Sequence, residues 1–443
     1  MKNILLLLIS ALWLCESNGQ ARQGWMGVQG NFFNDRLVVD TTLPRSTFQK
    51  LGIRKGDSII SINEQLVNSP ENFRNATSAL REGDPVLVNF QRGGQEKLSR
   101  GKAVGLPFLT SDQMQINYDW VAHGNCSLRT IVRKPRSGDK FPAILLVPGY
   151  NCGSIENFHL GSYGPLIETW IKAGFAVATV EKSGLGDSYN CQPCSEADLI
   201  TDIQTFDAGY RYMKSLSFAD TGNLFIWGHS MGGIIAPELA RRHYPRGVIV
   251  FATVFRPWSE FLLEMHRVQY PLDGLSFTET EQKVRLLQKV YYEFFRLKRS
   301  PAELYRNPEY RDIVASELEY KEPYTGNMWG RHWRFWQQID SLDMAASWSA
   351  VKSPVLSLFG GADFIACSLL EHELITRTIE SVRPGNVIHI TIPDVDHLLI
   401  RNVNWESAHS NFSRKAYREA NFHQGLADST VVWMRKQMQP SAD

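Results

Sequence analysis

The sequence predicts an α/β fold, in which a mostly parallel β-sheet carries helices on both faces, preceded by a small β-rich domain. The main observation is that short apolar runs alternate with segments of helical periodicity after residue 106. Apolar runs without polar alternation are typical of strands buried on both faces, and helices join such strands. The second observation is that residues 23–104 have a different pattern, of alternating strands and tight turns. The strands predicted for the parallel sheet are Met114–Tyr118, Ser127–Val132, Ala143–Val147, Ala176–Val180, Leu224–Trp227, Gly247–Phe251, Val355–Phe359 and Val387–Ile390.

The composition is that of an ordinary globular protein. The chain has 443 residues, 43% hydrophobic and 21% charged, which excludes a disordered chain, a collagen-like fibre and a small disulfide scaffold. Its 47 basic and 46 acidic side chains give a net charge of +1, so no global field attracts nucleic acid, and we expect no nucleic-acid partner. No apolar run reaches the roughly 18 residues of a membrane-spanning helix, and we expect no integral membrane segment.

The first twenty residues have the layout of a secretory signal peptide. Lys2 provides a positive start, Ile4–Cys15 is a short apolar run, and small or polar residues follow over Ser17–Ala21. We predict a signal peptide over residues 1–20 and hence a secreted or periplasmic protein. The alternative is a buried N-terminal strand. Removing the leader leaves five of the six cysteines, and an odd number in an oxidising compartment means that at least one thiol lacks an intramolecular partner.

The β-rich domain predicted over residues 23–104 carries a recognisable motif. Gly52–Asn63 runs from a turn into a strand, and Ser69 and Pro70 are favourable first residues of a helix. This arrangement resembles a PDZ domain of the circularly permuted bacterial kind, and Gly24–Val28 resembles its opening strand beside the carboxylate-binding loop. PDZ domains add an extended peptide to a sheet edge, so the resemblance implies a peptide or protein C-terminus as partner. The alternative is a rigid spacer without a ligand.

One strand-to-helix turn carries the pattern of a reactive serine. Gly228–Gly233 follows the buried strand Leu224–Trp227 and precedes the helical segment Ile234–Arg241. In a G-x-S-x-G turn the glycines leave room for a crowded backbone, and the serine hydroxyl stands exposed at the sheet edge. Because a free hydroxyl is a poor nucleophile, Ser230 needs a base beside it.

The partners of Ser230 are expected on later strand ends. Asp363 follows the strand Val355–Phe359, and His397 follows the next strand, so both belong at the same edge of the sheet as Ser230. We predict that His397 is the base and that Asp363 orients it, in the hydrolase order serine, acid, histidine. The alternative role for Asp363 is a helix N-cap. The other histidines considered are His389, His409 and His423, together with His229, which is expected to pack beside the serine.

An oxyanion hole completes the predicted site. One donor is expected to be the backbone N–H of Met231, which directly follows the nucleophile. The other is expected in the loop after Ala143–Val147, where Tyr150 is the first choice and Asn151 the second.

These residues together resemble the α/β-hydrolase superfamily over residues 106–440. Gly228–Gly232, Asp363 and His397 fall in the family's order, and Glu181–Ser188 looks like its loop after the fourth strand. The chain departs from many members in having Pro148-Gly149 where they have His-Gly, which affects the oxyanion assignment. The resemblance implies a serine hydrolase that forms an acyl-enzyme and needs neither a metal ion nor an organic cofactor.

The strand and helix alternation breaks between residues 254 and 349, where we predict a helical cap inserted into the hydrolase domain. Trp329, Trp333 and Trp336 recur at helical spacing, and five of the chain's 12 tryptophans lie in this segment. These three side chains either pack the cap onto the core or line an apolar pocket that selects an acyl or alcohol group.

The remaining cysteines suggest a bridge. Cys191 and Cys194 form a single CxxC without a second pair, which argues against a zinc site. Cys152 lies on a neighbouring loop, so a bridge from Cys152 to Cys191 or Cys194 is a hypothesis.

The sequence thus favours a secreted or periplasmic serine hydrolase that cleaves a small-molecule carboxylic ester. The second interpretation is a peptidase of the same type, because a PDZ domain could present a peptide's C-terminus. The third is a peptide-binding module with an inert hydrolase domain.

Overall fold

The computed structural model describes residues 21–323 and 325–438. The chain divides into two compact units, Met1–Phe108 and Leu109–Asp443, which are described separately below. The predicted signal peptide lies outside the described residues.

The N-terminal unit is an antiparallel sheet with two helices. Its strands are β1 (Val28–Phe33), β2 (Arg36–Thr42), β3 (Ser58–Ile62), β4 (Gln65–Leu66), β5 (Pro85–Arg92) and β6 (Gln95–Lys102), and its helices are α1 (Thr47–Lys50) and α2 (Pro70–Ser78). The strand order is β1-β2-β3-β5-β6, and β4 pairs with β3 alone. Strand β1 is therefore an edge strand.

Local sequence explains the boundaries of these elements. Asn63 and Glu64 have φ angles of 46° and 68°, the left-handed values that a two-residue hairpin requires between β3 and β4. The Ser69 hydroxyl accepts the Asn72 N–H, and Pro70 occupies the first position of α2, as predicted.

The second unit contains an eight-stranded sheet and a two-stranded hairpin. Its strands are β7 (Met114–His123), β8 (Cys126–Pro135), β9 (Phe141–Val147), β10 (Ala176–Val180), β11 (Ala219–His229), β12 (Gly247–Phe251), β13 (Asn327–Met328), β14 (Arg331–His332), β15 (Val355–Gly360) and β16 (Val387–Ile392). The order of the large sheet is β16-β15-β12-β11-β9-β10-β8-β7. Strand β8 runs antiparallel to β7 and β10, and the other neighbours are parallel. Each strand predicted for this sheet lies within an observed strand.

Helices surround the large sheet and fill the insertion. They are α3 (Tyr163–Lys172), α4 (Leu199–Ser215), α5 (Met231–His243), α6 (Trp258–Leu272), α7 (Phe277–Tyr291), α8 (Pro301–Tyr305), α9 (Arg311–Glu317), α10 (Trp333–Asp340), α11 (Met344–Ser349), α12 (Leu369–Val382), α13 (Trp405–Asn411), α14 (Lys415–Ala420) and α15 (Gln424–Met438). Short 3₁₀ segments cover Ile155–Leu160 and Cys194–Glu196, and a π-helical turn follows α7 at Tyr292–Arg296.

The central strand β9 enters a core on each face of the sheet. Ala143, Leu145 and Val147 belong to the hydrophobic cluster on one face, to which α4 and α5 contribute side chains. Ile144 and Leu146 belong to the cluster on the other face, to which α3 and α15 contribute side chains. Because both faces are covered, every position along the strand favours an apolar residue, which is why its sequence does not alternate.

The segment between β12 and β15 is helical, from α6 to α11, apart from the hairpin of β13 and β14. Trp333 and Trp336 lie on α10, but Trp329 lies in the hairpin turn with a φ angle of 52°. The expectation that one helix presents all three tryptophans was therefore wrong. A short hairpin with glycines at 326 and 330 interrupts the helical spacing.

The described part of the chain contains neither a membrane-spanning helix nor a metal-binding cluster. Over residues 21–323 and 325–438, no helix is long and apolar enough to cross a membrane. Within the same residues, no group of three or more His, Cys, Asp or Glu side chains could hold a metal ion.

Two disulfides lie within the second unit, one between two loops and one between the start of β8 and a loop. Cys152 bonds to Cys194, one of the two partners expected, with 5.8 Å between the Cα atoms. Cys191 bonds instead to Cys126, a pairing the sequence did not suggest, with 4.6 Å between the Cα atoms. Cys367 is buried and unpaired, which agrees with the expected odd thiol.

These bonds predict a thiol count for protein expressed from residue 21. Unfolding without reductant should expose one alkylatable thiol, that of Cys367, and mass spectrometry should locate it there. Because the bridges close loops with sequence separations of 65 and 42 residues, chain entropy assigns each about 4 kcal/mol of stability. Alkylation of five thiols before reduction would contradict the pairing.

Candidate active site

Ser230 lies on a strained turn at the carboxyl end of β11. Its φ and ψ angles are 56° and −121°, and its side chain makes no capping bond to helix α5, which starts at the next residue. Gly228 and Gly232 must be glycine because no room is left for a side chain at either position. A Cβ atom on Gly228 would lie 2.5 Å from the Gly232 carbonyl oxygen, and one on Gly232 would lie 2.0 Å from the Val147 carbonyl oxygen. The turn thus presents the hydroxyl at the sheet edge.

Asp363 and His397 are hydrogen-bonded to each other on loops after β15 and β16. His397 Nδ1 lies 2.9 Å from Asp363 Oδ2. The Asp363 carboxylate is fully buried, and its other oxygen accepts the N–H groups of Ile365 and Ala366 at 2.8 Å each. The N-cap position of helix α12 is Ser368, although its side chain makes no capping bond, so Asp363 does not have the alternative N-cap role. With Nδ1 protonated, a neutral His397 has Nε2 available to accept a proton.

The pKa of His397 reflects two opposing effects. Burial acts to lower the pKa, but the charge and hydrogen bond of Asp363 raise it by more, so the net pKa lies above the usual value for histidine. The other histidines considered have different partners. His409 lies beside Asp273, His423 beside Asp394, and His389 beside the Ser357 carbonyl.

His229 links the serine turn to the histidine loop, a contact that the sequence did not suggest. Its Nε2 lies 2.8 Å from the His397 carbonyl oxygen, and its Nδ1 lies 2.6 Å from the Tyr163 hydroxyl. A carbonyl can only accept, so Nε2–H donates to it and Nδ1 accepts from Tyr163. Burial lowers the pKa of His229 to about 3, which keeps this ring neutral. The residue before Ser230 therefore holds the backbone of His397.

The two predicted oxyanion donors belong to the loop after β9 and to the first residue of helix α5. A Cβ atom on Gly149 would lie 3.7 Å from Ser230 Oγ, so the loop after β9 contacts the serine. Within residues 21–323 and 325–438, the Tyr150 N–H has no hydrogen-bond acceptor. The Met231 N–H is the first of helix α5, and the first N–H groups of a helix lack intrahelical acceptors.

Buried cations hold the carbonyl groups of the same loop. Lys182 Nζ donates to the Gly149 carbonyl and, at 3.0 Å, to the Asn151 carbonyl. Arg331 of β14 donates to the Tyr150 carbonyl at 3.0 Å. Neither side chain was predicted to belong to the site. Lys182 lies in the family-like loop Glu181–Ser188, which could have indicated it, whereas no pattern in the sequence indicates Arg331.

Glu181 and Asp187, in the same loop Glu181–Ser188, bond to neighbouring segments of the chain. Glu181 accepts the Ser154 hydroxyl and the Ile155 N–H, and burial raises the pKa of Glu181 to about 8. Asp187 forms a buried ion pair with Arg129 at 2.9 Å. The loop after β10 therefore ties the segment that follows Tyr150 to the sheet.

The predicted pocket tryptophans separate into two environments. Trp336 is 1% exposed and packs on Tyr150, with 5.1 Å between the ring centroids, and on Trp329 at the same distance. Trp333 is half-buried and packs on Phe294 at 6.4 Å. Trp336 therefore lies against the Tyr150 ring, Trp329 packs behind it on Trp336, and Trp333 has different contacts.

Two family models match the chain. A model described as "Serine aminopeptidase, S33" matches residues 142–389, which include the turn that carries Ser230. A model described as "PDZ domain" matches residues 24–100.

A curated relative and several solved structures are similar to the chain. Esterase EstD of Thermotoga maritima is 22% identical over 279 residues, and the match covers 60% of this chain and 56% of EstD. Est1E from Butyrivibrio proteoclasticus is 14% identical, with a TM-score of 0.44 over 72% of this chain and 98% of that chain. Proline iminopeptidase of Mycobacterium smegmatis is 12% identical, with a TM-score of 0.42 over 72% of this chain and 98% of that chain.

Proposed function

Since this chain belongs to the serine aminopeptidase S33 family of α/β hydrolases and carries a PDZ domain, we propose that it hydrolyses carboxylic esters through a Ser230 acyl-enzyme. The observation that carries the proposal is the 2.9 Å hydrogen bond between Asp363 and His397. His229, the residue before Ser230, bonds to the His397 carbonyl and so holds the histidine loop next to the serine turn. The similarity to an esterase supports an ester as substrate.

The proposed reaction has two steps. Ser230 Oγ attacks the acyl carbonyl carbon while His397 Nε2 takes its proton, and the same histidine then protonates the departing alcohol. Asp363 holds the ring in the required tautomer and stabilises its cation. The N–H groups of Met231 and Tyr150 stabilise the oxyanion. Water, activated by His397, then hydrolyses the acyl-enzyme and restores the serine.

An ester and amide panel tests the substrate class. We expect wild-type protein to react with a fluorophosphonate probe and to hydrolyse p-nitrophenyl esters faster than aminoacyl or peptidyl amides of matched acyl group. No labelling and no ester turnover would refute the hydrolase proposal. Faster amide turnover would favour the second candidate, an aminopeptidase, which the description of the family model supports.

The aromatic cluster is proposed to contribute to acyl selection. Trp336 packs on the ring of Tyr150, which follows the proposed oxyanion donor loop, and Trp329 packs on Trp336. Trp333 is the third predicted pocket residue. The same panel, run from acetate to dodecanoate, should show a chain-length preference that Trp329→Ala or Trp333→Ala changes. Equal turnover of every chain length by all three proteins would exclude this role.

The PDZ domain is proposed to bind peptide C-termini. The N–H groups of Met26 and Gly27 have no acceptor within the described residues, and β1 has an unpaired edge there. Val28 and Phe32 of β1 are half-buried apolar side chains, and Phe73 of α2 is another that packs against the same core. A free carboxylate at the two N–H groups and an apolar last residue match these features.

A peptide comparison tests this role. Full-length protein with Ser230→Ala should bind a fluorescent peptide that ends in valine with a free carboxylate at least about 10-fold more tightly than its C-terminal amide, since the amide removes the charge. Fluorescence anisotropy measures both affinities. Equal binding of acid and amide, or binding of neither, would favour the spacer alternative.

Secretion is also proposed. Two disulfides between described residues support an oxidising compartment, because such bonds are rare in the cytosol of most organisms. The apolar leader over residues 1–20 is the expected export signal.

A further inference from the structure

We infer that Lys182 and Arg331 are positioning residues for the oxyanion hole, because they hold the carbonyl groups of the loop that carries the Tyr150 N–H. This inference rests on the proposed function. It assigns a role to the loop after β10 and to the hairpin of the cap, neither of which carries a predicted catalytic residue.

Three successive carbonyl groups of the loop after β9 are bonded to these two side chains. Lys182 Nζ donates to Gly149 and Asn151, and an Arg331 nitrogen donates to Tyr150 between them. Carbonyl groups in loops are commonly hydrated or bonded to other backbone, whereas these three accept hydrogen bonds from two buried side chains, which fix the directions of the carbonyl groups.

The planarity of the peptide bond transmits this constraint. The Gly149 carbonyl and the Tyr150 N–H belong to one trans peptide unit, so the two groups point in opposite directions. With Lys182 on the carbonyl side, the N–H points away from the lysine. Gly149 lies against Ser230, and the Tyr150 N–H has no acceptor among the described residues. The N–H is therefore available to a substrate oxygen.

Both side chains are held rigidly. Arg331 and Asp202 are fully buried, with 2.9 Å between Nη1 and Oδ2, and Arg331 also donates to the Ala197 carbonyl. Lys182 is 3% exposed. Burial lowers the pKa of Lys182 to about 7, while Asp202 acts to raise it. Both the ammonium and the neutral amine have N–H bonds to donate, so the carbonyl contacts do not depend on the charge.

The arrangement also couples the cap to the reaction centre. Arg331 belongs to the inserted segment, whereas Asp202 lies on α4 and Tyr150 follows β9. The Cys152–Cys194 disulfide fastens the same loop two residues after Tyr150. When Lys182 is protonated, its hydrogen bond to the Gly149 carbonyl also polarises that peptide, which strengthens the Tyr150 N–H as a donor to a developing oxyanion.

The test compares substitutions at one buried lysine with a matched exposed one. Lys182→Met keeps the apolar stem and removes the donors, and Lys182→Arg restores donors. Lys172→Met is the control, because Lys172 on α3 is exposed and pairs only with Glu168 among the described residues. Since a lost oxyanion donor costs about 10²–10³ in rate, a misplaced one should lower kcat by about 10–10²-fold while KM changes by less than about 3-fold. Lys182→Arg should recover part of kcat, and Lys172→Met should match wild type.

A tetrahedral inhibitor distinguishes positioning from general destabilisation. A trifluoromethyl ketone forms an oxyanion adduct on Ser230, so its inhibition constant should rise in Lys182→Met by the factor that kcat/KM falls. If Lys182→Met does not fold, Lys182→Gln is measured instead, with the same expectation.

The inference would be overturned by a folded Lys182→Met or Lys182→Gln protein that keeps the wild-type kcat. It would also be overturned if KM rises in the variant while its affinity for the trifluoromethyl ketone is unchanged. A wild-type protein that neither turns over esters nor reacts with the fluorophosphonate would refute the proposed function instead.

Discussion

Replacing Ser230 by alanine is expected to lower kcat for ester hydrolysis by about 10⁶-fold, because the acyl-enzyme can no longer form. The variant can still bind substrate and still has its oxyanion donors, but these cannot substitute for the covalent intermediate. The measurement is steady-state turnover of a p-nitrophenyl ester together with fluorophosphonate labelling, and the variant should show no label. A labelled Ser230→Ala protein, or one with more than about 1% of wild-type kcat, would exclude Ser230 as nucleophile.

A glycine at the same position supplies a control for the fold. Ser230 has a φ angle of 56° in a region that side chains rarely adopt. Such strain costs about 1–3 kcal/mol, part of which glycine recovers. Ser230→Gly should therefore be as inactive as Ser230→Ala but about 1 kcal/mol more stable in urea unfolding. Loss of activity accompanied by loss of stability in both variants would point to misfolding rather than to chemistry.

Replacing Asp363 by asparagine is expected to lower kcat by about 10⁴-fold. The amide NH₂ group favours the His397 tautomer with Nδ1 unprotonated, and Nε2 then carries the proton that blocks its role as base. Steady-state kinetics on the same ester measure the loss. The burial of Asp363 and its bonds to Ile365 and Ala366 should preserve the loop, because the asparagine oxygen can still accept them.

The pH dependence gives this variant a second readout. Asp363 raises the pKa of His397, so the histidine of the wild type binds a proton up to a higher pH. Activity requires neutral His397, and the rate should rise as pH increases through that pKa. Removing the carboxylate lowers the pKa, so the rising limb of kcat/KM in Asp363→Asn should move to lower pH. A limb that stays in place would show that another group controls it. Asp394→Asn is the control, since Asp394 contacts His423 instead of His397.

Much of the architecture could be predicted because it follows from short-range patterns. Strands such as Gly247–Phe251 are apolar throughout because both faces of the sheet are covered, and the chain order alone predicts a parallel sheet. The serine turn could be predicted because Gly228 and Gly232 have no room for a Cβ atom. These requirements act within a few residues, so the sequence displays them.

Contacts between distant elements could not be predicted in this way. Trp329 has helical spacing from Trp333 but lies in a hairpin turn, because the positive φ angles at residues 326, 329 and 330 reverse the chain. The bridge between Cys126 and Cys191 depends on the start of β8 lying next to the loop after β10. The spacing of residues along the chain indicates neither the hairpin at Trp329 nor the pairing of Cys126 with Cys191.

The sequence by itself determined the fold class, the PDZ domain and the identity of the candidate nucleophile, acid and base, since each depends on a local motif or on the order of strands. Only the tertiary structure decided what holds that site in place. His229 reaches the His397 carbonyl across 168 positions, and Arg331 reaches Tyr150 across 181. The physical reason is that a buried polar group must find a partner wherever the packed chain provides one, and packing is a property of the whole sheet.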